Sequence, residues 1–285
     1  MDLADPRALE SVLRRHGVRA ATTLGQHFLV DAAVLAAIVE AAELTAADDV
    51  LEVGPGPGVL TAALAARARS VTAVEIDKRM VEVLRETLAG RTNVRVVRAD
   101  ALAVDLFSLA ERPPTRIVAN LPYQITTPLL ERFLADPRRP PIVVVLVQDE
   151  VARRIAAEAG SSAPRERGFL SVLVQSFADA RVVRGVPPSA FRPPPRVSSA
   201  VVALRTRARP AFAPLAQGPF FEFVSDVFRH RRKQLRSALG HEAGLERERA
   251  DAALATAGIA PTRRPEELTL VEWVALAAAA GVPRE

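Results

Sequence analysis

Between residues 50 and 159 short apolar runs alternate strictly with segments of helical period, and this alternation constrains the fold more than any other feature. Residues 50–53, 71–75, 94–98, 116–119 and 142–148 read as strands. Between and after them, residues 59–68, 79–89, 128–135 and 150–159 place apolar side chains at helical spacing. Strand–helix–strand order favours parallel pairing, because a parallel neighbour needs a crossover long enough to hold a helix. The strands are mostly apolar, and 142–147 entirely so, as expected where both faces of a sheet are covered. The predicted class is α/β, a doubly wound Rossmann-like sheet that is mainly parallel. A helix over 31–44 precedes it, with Asp31 placed to cap its start.

The rhythm breaks after residue 159. A helix is predicted over 171–177, and residues 180–186 and 200–206 read as two late strands without a full helix between them. That spacing predicts an antiparallel edge strand on the parallel sheet. Residues 207–219 turn to Pro, Ala and Gly, as a linker does, and 220–239, 247–257 and 270–280 then read as helices. The expected organisation is a sheet domain over 1–209 and a small all-helical domain over 210–285.

Composition narrows the partners. The apolar run 142–147 is too short to cross a bilayer, and the opening MDLADPRALESVLRRHG lacks the apolar core of a signal peptide. A cytoplasmic protein without a membrane partner is expected. The absence of cysteine fits that compartment and excludes thiolate zinc sites, thiol nucleophiles and disulfides. The four histidines show no metal-ligand spacing, so no metal is expected. The net charge of +5 is unevenly placed. Residues 180–221 contain no acid but hold Arg181, Arg184, Arg192, Arg196, Arg205, Arg207 and Arg209. A second acid-free run, FRHRRKQLRSAL, holds Arg229, Arg231, Arg232, Lys233 and Arg236. Such clusters are the electrostatic footprint of a polyanion partner, with a solvated face as the alternative.

The segment VLEVGPGPGVLTAAL puts Gly54, Gly56 and Gly58 between a strand and a helix. Glycines there let backbone approach a ligand, and the helix start offers free N–H groups. Dinucleotide enzymes use a similar turn, and a tight-packing turn is a third reading. Glu75, ending the second strand in VTAVEID, can accept both hydroxyls of a ribose. Asp100, after the third strand, can accept from an adenine amino group, although Asp77 and Asp100 are also of the type that caps helices or turns loops. An adenosine-containing ligand follows from the set, and the lack of G-K-[ST] disfavours phosphate hydrolysis.

The stretch VANLPYQITTPLL carries the only tyrosine of the chain. Asn120 stands where the fourth strand ends, on the same sheet edge as the glycine loop. A strand-end Asn-x-Pro is often a plain turn. Chemistry gives it another use. The exocyclic nitrogen of adenine is a poor nucleophile because its lone pair is delocalised into the ring. The Asn120 amide oxygen and the Leu121 carbonyl, turned inward by Pro122, could each accept one of its N–H bonds and favour a pyramidal nitrogen. Tyr123 could stack on the base, as aromatics do with extruded nucleotides.

GQHFLVD, EVGPGPGVLT, VEID, RADAL and NLPY occur in this order at intervals that resemble the S-adenosylmethionine-dependent RNA adenine dimethyltransferases. VQDEVARRI, FRPPPRVSSAVVAL and FRHRRKQLRSAL extend the likeness to about residue 240. Within that family the chain resembles the small-subunit ribosomal branch more than the macrolide-resistance enzymes of large-subunit RNA, which typically carry Ile where Leu121 stands. The resemblance implies two methyl groups on N6 of each of two adjacent adenines, in a stem-loop near the 3′ end of small-subunit RNA. It implies a substrate presented within a pre-30S particle, and a monomeric enzyme that also assists subunit biogenesis. It implies S-adenosylmethionine contacts from His27, Leu29, Gly54, Gly56, Glu75, Asp100 and Asn120. Asn120, Leu121, Pro122 and Tyr123 would handle the adenine, with Phe191 as a second stacking face or else a packed core aromatic. Arg229, Arg231, Arg232, Lys233 and Arg236 would meet RNA phosphates from a helix. Two departures stand out: the family usually has Asn at His27, and SSAPRERGFLS lacks the usual Tyr-Gly before its helix. A nicotinamide-dependent oxidoreductase would use the same glycine loop and Glu75, but leaves NLPY and the arginines without a purpose. A non-enzymatic ribosome assembly factor would use only the basic surfaces.

Overall fold

The computed structural model describes residue 3 and residues 5–18, 26–159, 166–241 and 245–285. Gly25 of the GQHFLVD motif and residues 161–165 of SSAPRERGFLS lie outside these. The chain divides into two compact units, residues 1–152 with 181–206 and residues 153–180 with 207–285. The third crossing, at 206/207, lies three residues before the break expected at 209/210. Residues 153–180, expected with the sheet, group instead with the helical unit. The reason is aromatic: Phe177 packs edge-on to Phe212 at 5.4 Å and against Phe221 at 5.5 Å.

The first unit is built on β1 (Phe28–Leu29), β2 (Asp49–Val53), β3 (Ser70–Glu75), β4 (Val94–Arg98), β5 (Arg116–Asn120), β6 (Ile142–Gln148), β7 (Ala178–Val186), β8 (Phe191–Arg192) and β9 (Ser199–Thr206). A seven-stranded sheet has the order β4-β3-β2-β5-β6-β9-β7, and β1 and β8 form a separate antiparallel pair. From β4 to β6 every neighbour is parallel. β9 runs antiparallel to β6, from Ile142 opposite Arg205 to Gln148 opposite Ser199. The antiparallel margin is therefore present, with β9 one place in from the edge and β7 outside it. Residues 143–147 of β6 are fully buried, which explains their unbroken apolar character. Each such side chain contributes about 1.5–3 kcal/mol relative to exposure.

The helices of this unit are α1 (Pro6–Arg15), α2 (Ala32–Ala41), α3 (Val59–Ala65), α4 (Lys78–Thr87) and α5 (Thr126–Ala135). Aspartates start three of them. Asp5 accepts from Arg7 N at 3.0 Å, Asp31 from Ala33 N at 2.9 Å and Val34 N at 3.0 Å, and Asp77 from Arg79 N at 2.9 Å. Each satisfies backbone donors that the helix itself leaves open. α1 was not among the expected elements, although Asp5, Pro6 and the buried trio Leu9, Val12 and Leu13 are a complete start signal and apolar face.

α6 (Asp149–Ala156) begins in the first unit and ends in the second, whose remaining helices are α7 (Phe169–Phe177), α8 (Gln217–Arg229), α9 (Leu235–His241), α10 (Arg247–Thr256) and α11 (Leu270–Ala279). Trp273, fully buried, anchors its core against Phe228 at 5.1 Å. The single helix expected over 220–239 is broken into α8 and α9. After α8 the amides of His230, Arg231 and Lys233 bond only three residues back, and at the start of α9 Leu235 N donates to Arg263 O at 2.8 Å and Arg236 N to Pro261 O at 3.3 Å. Among the described residues no helix is long and apolar enough to cross a membrane, and no cluster of metal-ligating side chains occurs.

Candidate active site

The chain leaves β2 for β3 on one side of the sheet and returns to β5 on the other, so β2 and β5 flank the switch point where open α/β sheets bind ligands. A cavity of about 290 Å³ lies there, and His27, Leu29, Gly54, Gly56, Glu75, Asp100, Asn120, Leu121, Pro122 and Tyr123 all line it. Every residue expected at the cofactor is thus brought to one wall.

Local geometry explains the glycines. Gly58 caps α3 with φ +91°, and a Cβ there would come within 3.0 Å of Leu84. Gly56 has φ +53°, and a Cβ would press on the Phe28 ring at 3.2 Å. Both conformations cost an L side chain energy before any clash is counted. The Gly56 N–H donates to Glu75 Oε2 at 3.3 Å, and the Asp77 N–H donates to Oε1 at 2.8 Å. These bonds hold the end of β3 to the glycine loop. Burial raises the Glu75 pKa, and the two backbone donors oppose that rise. Asp77 caps α4 and pairs with Arg79 at 2.9 Å. Asp100 is exposed, and its Oδ1 accepts from Leu102 N at 2.8 Å, so it also serves as a turn residue.

Glu52, absent from the expected site, ends β2 in the same wall and is 1% exposed. Burial pushes its carboxyl up to about 8, eased by the Thr61 hydroxyl and reinforced by the Glu75 charge. Neither Glu52 Oε2 nor the Thr61 hydroxyl has a hydrogen bond of normal geometry. An acid inside the apolar run VLEV was the available signal.

At the end of β5 the Asn120 amide donates to the His27 carbonyl oxygen at 3.4 Å. A carbonyl can only accept, so the Asn120 nitrogen faces His27 and Oδ1 remains an acceptor for a ligand. Leu121 N donates to Leu146 O at 3.1 Å. Pro122 O accepts from Ile125 N at 3.1 Å and from Thr126 Oγ1 at 3.1 Å, which turns the chain into α5. The Pro122 ring lies 3.4 Å from where a Gly54 Cβ would stand, so the two loops are in contact. Tyr123, half-buried, stacks on the His27 ring with centroids 6.0 Å apart and 24° between planes. His27 Nδ1 lies 2.8 Å from Pro193 O, which makes Nδ1 the protonated nitrogen.

Two expectations are corrected. Phe191 is fully exposed to neither cavity nor solvent: at 0% exposure it packs in the apolar cluster with Leu29, Val34 and Ile38. Its strand pairs with β1 through Leu29, which turns the ring inward and removes it as a stacking face. Of the basic run, Arg231, Arg232 and Lys233 sit in the turn after α8 rather than on a helix, and all three are exposed. Arg229 pairs with Asp226 at 3.4 Å and Arg236 with Asp251 at 2.6 Å, so their charges are already partly matched.

The donor set decides what ligand fits. Glu75, Asp77 and Asp100 line the cavity beside Glu52, which burial keeps protonated at neutral pH, and no Lys or Arg stands among its described walls. That field repels a pyrophosphate and suits a ligand carrying positive charge. An adenosine with a sulfonium and an ammonium group, as in S-adenosylmethionine, suits it better than a dinucleotide. The sequence model of the family described as ribosomal RNA adenine dimethylase matches residues 17–279.

The chain belongs to the ribosomal RNA adenine dimethylase family. It is an enzyme that methylates adenine of ribosomal RNA with S-adenosylmethionine as the methyl donor. A relative from Pelotomaculum thermopropionicum named "Ribosomal RNA small subunit methyltransferase A" is 42% identical, with 96% of each chain covered. Among solved structures, the 23S rRNA methyltransferase ErmE superposes with a TM-score of 0.65 at 32% identity, covering 88% of this chain and 98% of that one. A dimethyladenosine transferase from Plasmodium falciparum shares the fold with a TM-score of 0.74 at 24% identity, covering 88% and 96%.

Proposed function

We propose that this enzyme places two methyl groups on N6 of each of two adjacent adenines, in a stem-loop near the 3′ end of small-subunit ribosomal RNA. It acts as a cytoplasmic monomer on a pre-30S particle and assists subunit biogenesis. The observation that carries the small-subunit assignment is the likeness to a small-subunit methyltransferase along 96% of both chains, at higher identity than to the 23S enzyme. Leu121 and the FRPPPRVSSAVV wording support the same branch.

S-adenosylmethionine supplies a methyl group made electrophilic by its sulfonium. Glu75 would hold the ribose hydroxyls, Asp100 the adenine amino group, and the Gly54–Gly56 loop the methionine portion, with His27 and Leu29 closing the wall. The target nitrogen is activated by acceptors alone. Asn120 Oδ1 and the Leu121 carbonyl each take one N–H bond, which draws the lone pair out of conjugation and aims it at the methyl carbon. Because the Asn120 nitrogen is committed to His27 O, the amide presents its oxygen without a reorientation step. As the new N–C bond forms the proton becomes acidic and leaves to water, so no strong base is needed. After one methylation a single N–H remains, and the same pair of acceptors can hold it. Tyr123 stacks on the base and fixes its plane.

Arg231, Arg232 and Lys233 in the helical unit supply exposed charge for RNA phosphates. The likeness to ErmE motivates the alternative substrate, so the test offers both. Purified enzyme with labelled cofactor is given small-subunit particles lacking the modification and, separately, protein-free large-subunit RNA. Label on the particles is expected, and label on the large-subunit RNA alone would transfer the assignment to the resistance type.

A further inference from the structure

Tyr123 is held at two ends by groups outside its own loop. Its hydroxyl lies 2.7 Å from Ser199 Oγ, a side chain 76 residues away that opens β9 and is 1% exposed. Its ring rests on His27, which is itself tied to Pro193 O. Ser199 sits opposite Gln148 in the β6–β9 ladder, and the preceding residue's carbonyl accepts from Asp149 N at 3.0 Å, so its position is set by the sheet. Tyr123, by contrast, opens a short helical turn over Tyr123–Ile125.

We infer that Ser199 is a positioning residue for methyl transfer, which fixes the plane of Tyr123 through the phenol hydroxyl so that the target adenine meets a preset ring. The inference rests on the proposed stacking role of Tyr123. A stacking face that rotates freely about its χ angles must be ordered each time a base enters, and an anchor at the far end of the ring removes that cost beforehand. The Ser199 end of the bond is buried, so a hydroxyl left there without its partner is not freely made good by solvent. Ser199 belongs to the sheet, whereas the acceptors Asn120 and Leu121 also sit at the end of a sheet strand. Ring and acceptors are thereby referred to one rigid frame, as a reaction needing sub-ångström alignment demands.

A double-mutant cycle tests this with the full-length enzyme and unmodified small-subunit particles. Ser199→Ala and Tyr123→Phe each remove the bond, one from the strand and one from the ring, and Tyr123→Phe keeps the stacking face. Each is expected to lower kcat/KM by roughly 2- to 12-fold, and the double variant to lose no more than either single. Binding of S-adenosylhomocysteine, measured by calorimetry, should be unchanged in all three. Because the chain has one tyrosine, incorporated 3-fluorotyrosine gives one fluorine resonance, which should shift and broaden in Ser199→Ala. Additive losses, or a loss shared with cofactor affinity, would mean general damage and overturn the positioning role. So would parent-like kinetics or an unmoved resonance. Tyr123→Ala separates the layers: if it methylates as well as the parent, stacking itself fails. If it is impaired while Ser199→Ala is not, only the anchor fails.

Discussion

Replacing Glu52 by glutamine isolates the one carboxyl whose environment departs furthest from water. In the folded protein it is fully buried, with Oε2 unpartnered, and its pKa stands at about 8 against an ordinary 4.5. The sign follows from linkage. Below pH 4.5 the carboxyl is protonated folded and unfolded, so burial carries no ionic penalty. Between 4.5 and 8 the unfolded chain gives up the proton and the folded chain keeps it, so stability falls by about 1.4 kcal/mol per pH unit. Above 8 both forms are ionised and the loss levels off at about 5 kcal/mol, an order-of-magnitude figure. Glutamine cannot ionise, so whatever fixed cost the substitution brings, the stability of Glu52→Gln relative to the parent should rise through that window. The assay is urea unfolding at a series of pH values between 4 and 9, followed by far-UV circular dichroism. Tryptophan fluorescence would be the wrong probe, because the only tryptophan, Trp273, belongs to the helical unit. A difference between the two proteins that stays constant with pH would mean that Glu52 is already ionised in the fold, and the argument from its burial would collapse.

Three further outcomes follow from the site. Asn120→Ala should lower the methylation rate by about 10²–10³ while leaving particle binding intact, measured by label transfer and sedimentation; a parent-like rate would remove the amide from the chemistry. Gly56→Ala should weaken S-adenosylhomocysteine binding in calorimetry and lower stability by about 1–2 kcal/mol, since its φ of +53° and the Phe28 ring both oppose a methyl group; undiminished affinity would show that the loop need not keep this shape. Changing Arg231, Arg232 and Lys233 together to alanine should flatten the log–log salt dependence of RNA binding by about 2 to 3 if each meets one phosphate. An unchanged slope would leave them a solvated face.

Much of this architecture is legible in the sequence because the signals are local. The strand around Val143 declares itself by an unbroken apolar run and those around Val71 and Val94 by their valines, and Asp31 and Asp77 mark helix starts by side chains that bond their own backbone. The cofactor wall is legible for a topological reason: a parallel sheet brings the ends of β2, β3, β4 and β5 to one edge, so Gly54, Glu75, Asp100 and Asn120 converge whatever the loops do. What escaped is decided over long range. The start of α9 bonds to carbonyls at Pro261 and Arg263. The inward turn of Phe191 depends on pairing with Leu29, and Ser199 reaches Tyr123 only because β9 lies beside β6. No periodicity announces any of these. Glu52 is a different case, since an acid in an apolar strand is visible in the sequence itself.

The central claim is that acceptors at Asn120 and Leu121 direct both methyl groups to N6 of small-subunit RNA. Its most direct test is to incubate the enzyme with unmodified small-subunit particles and S-adenosylmethionine, then map the methylated nucleotides by mass spectrometry of RNA fragments. The account predicts N6,N6-dimethyladenosine at two adjacent positions near the 3′ end and nowhere else. Methyl groups confined to ring nitrogens, or to large-subunit RNA offered in competition, would contradict it.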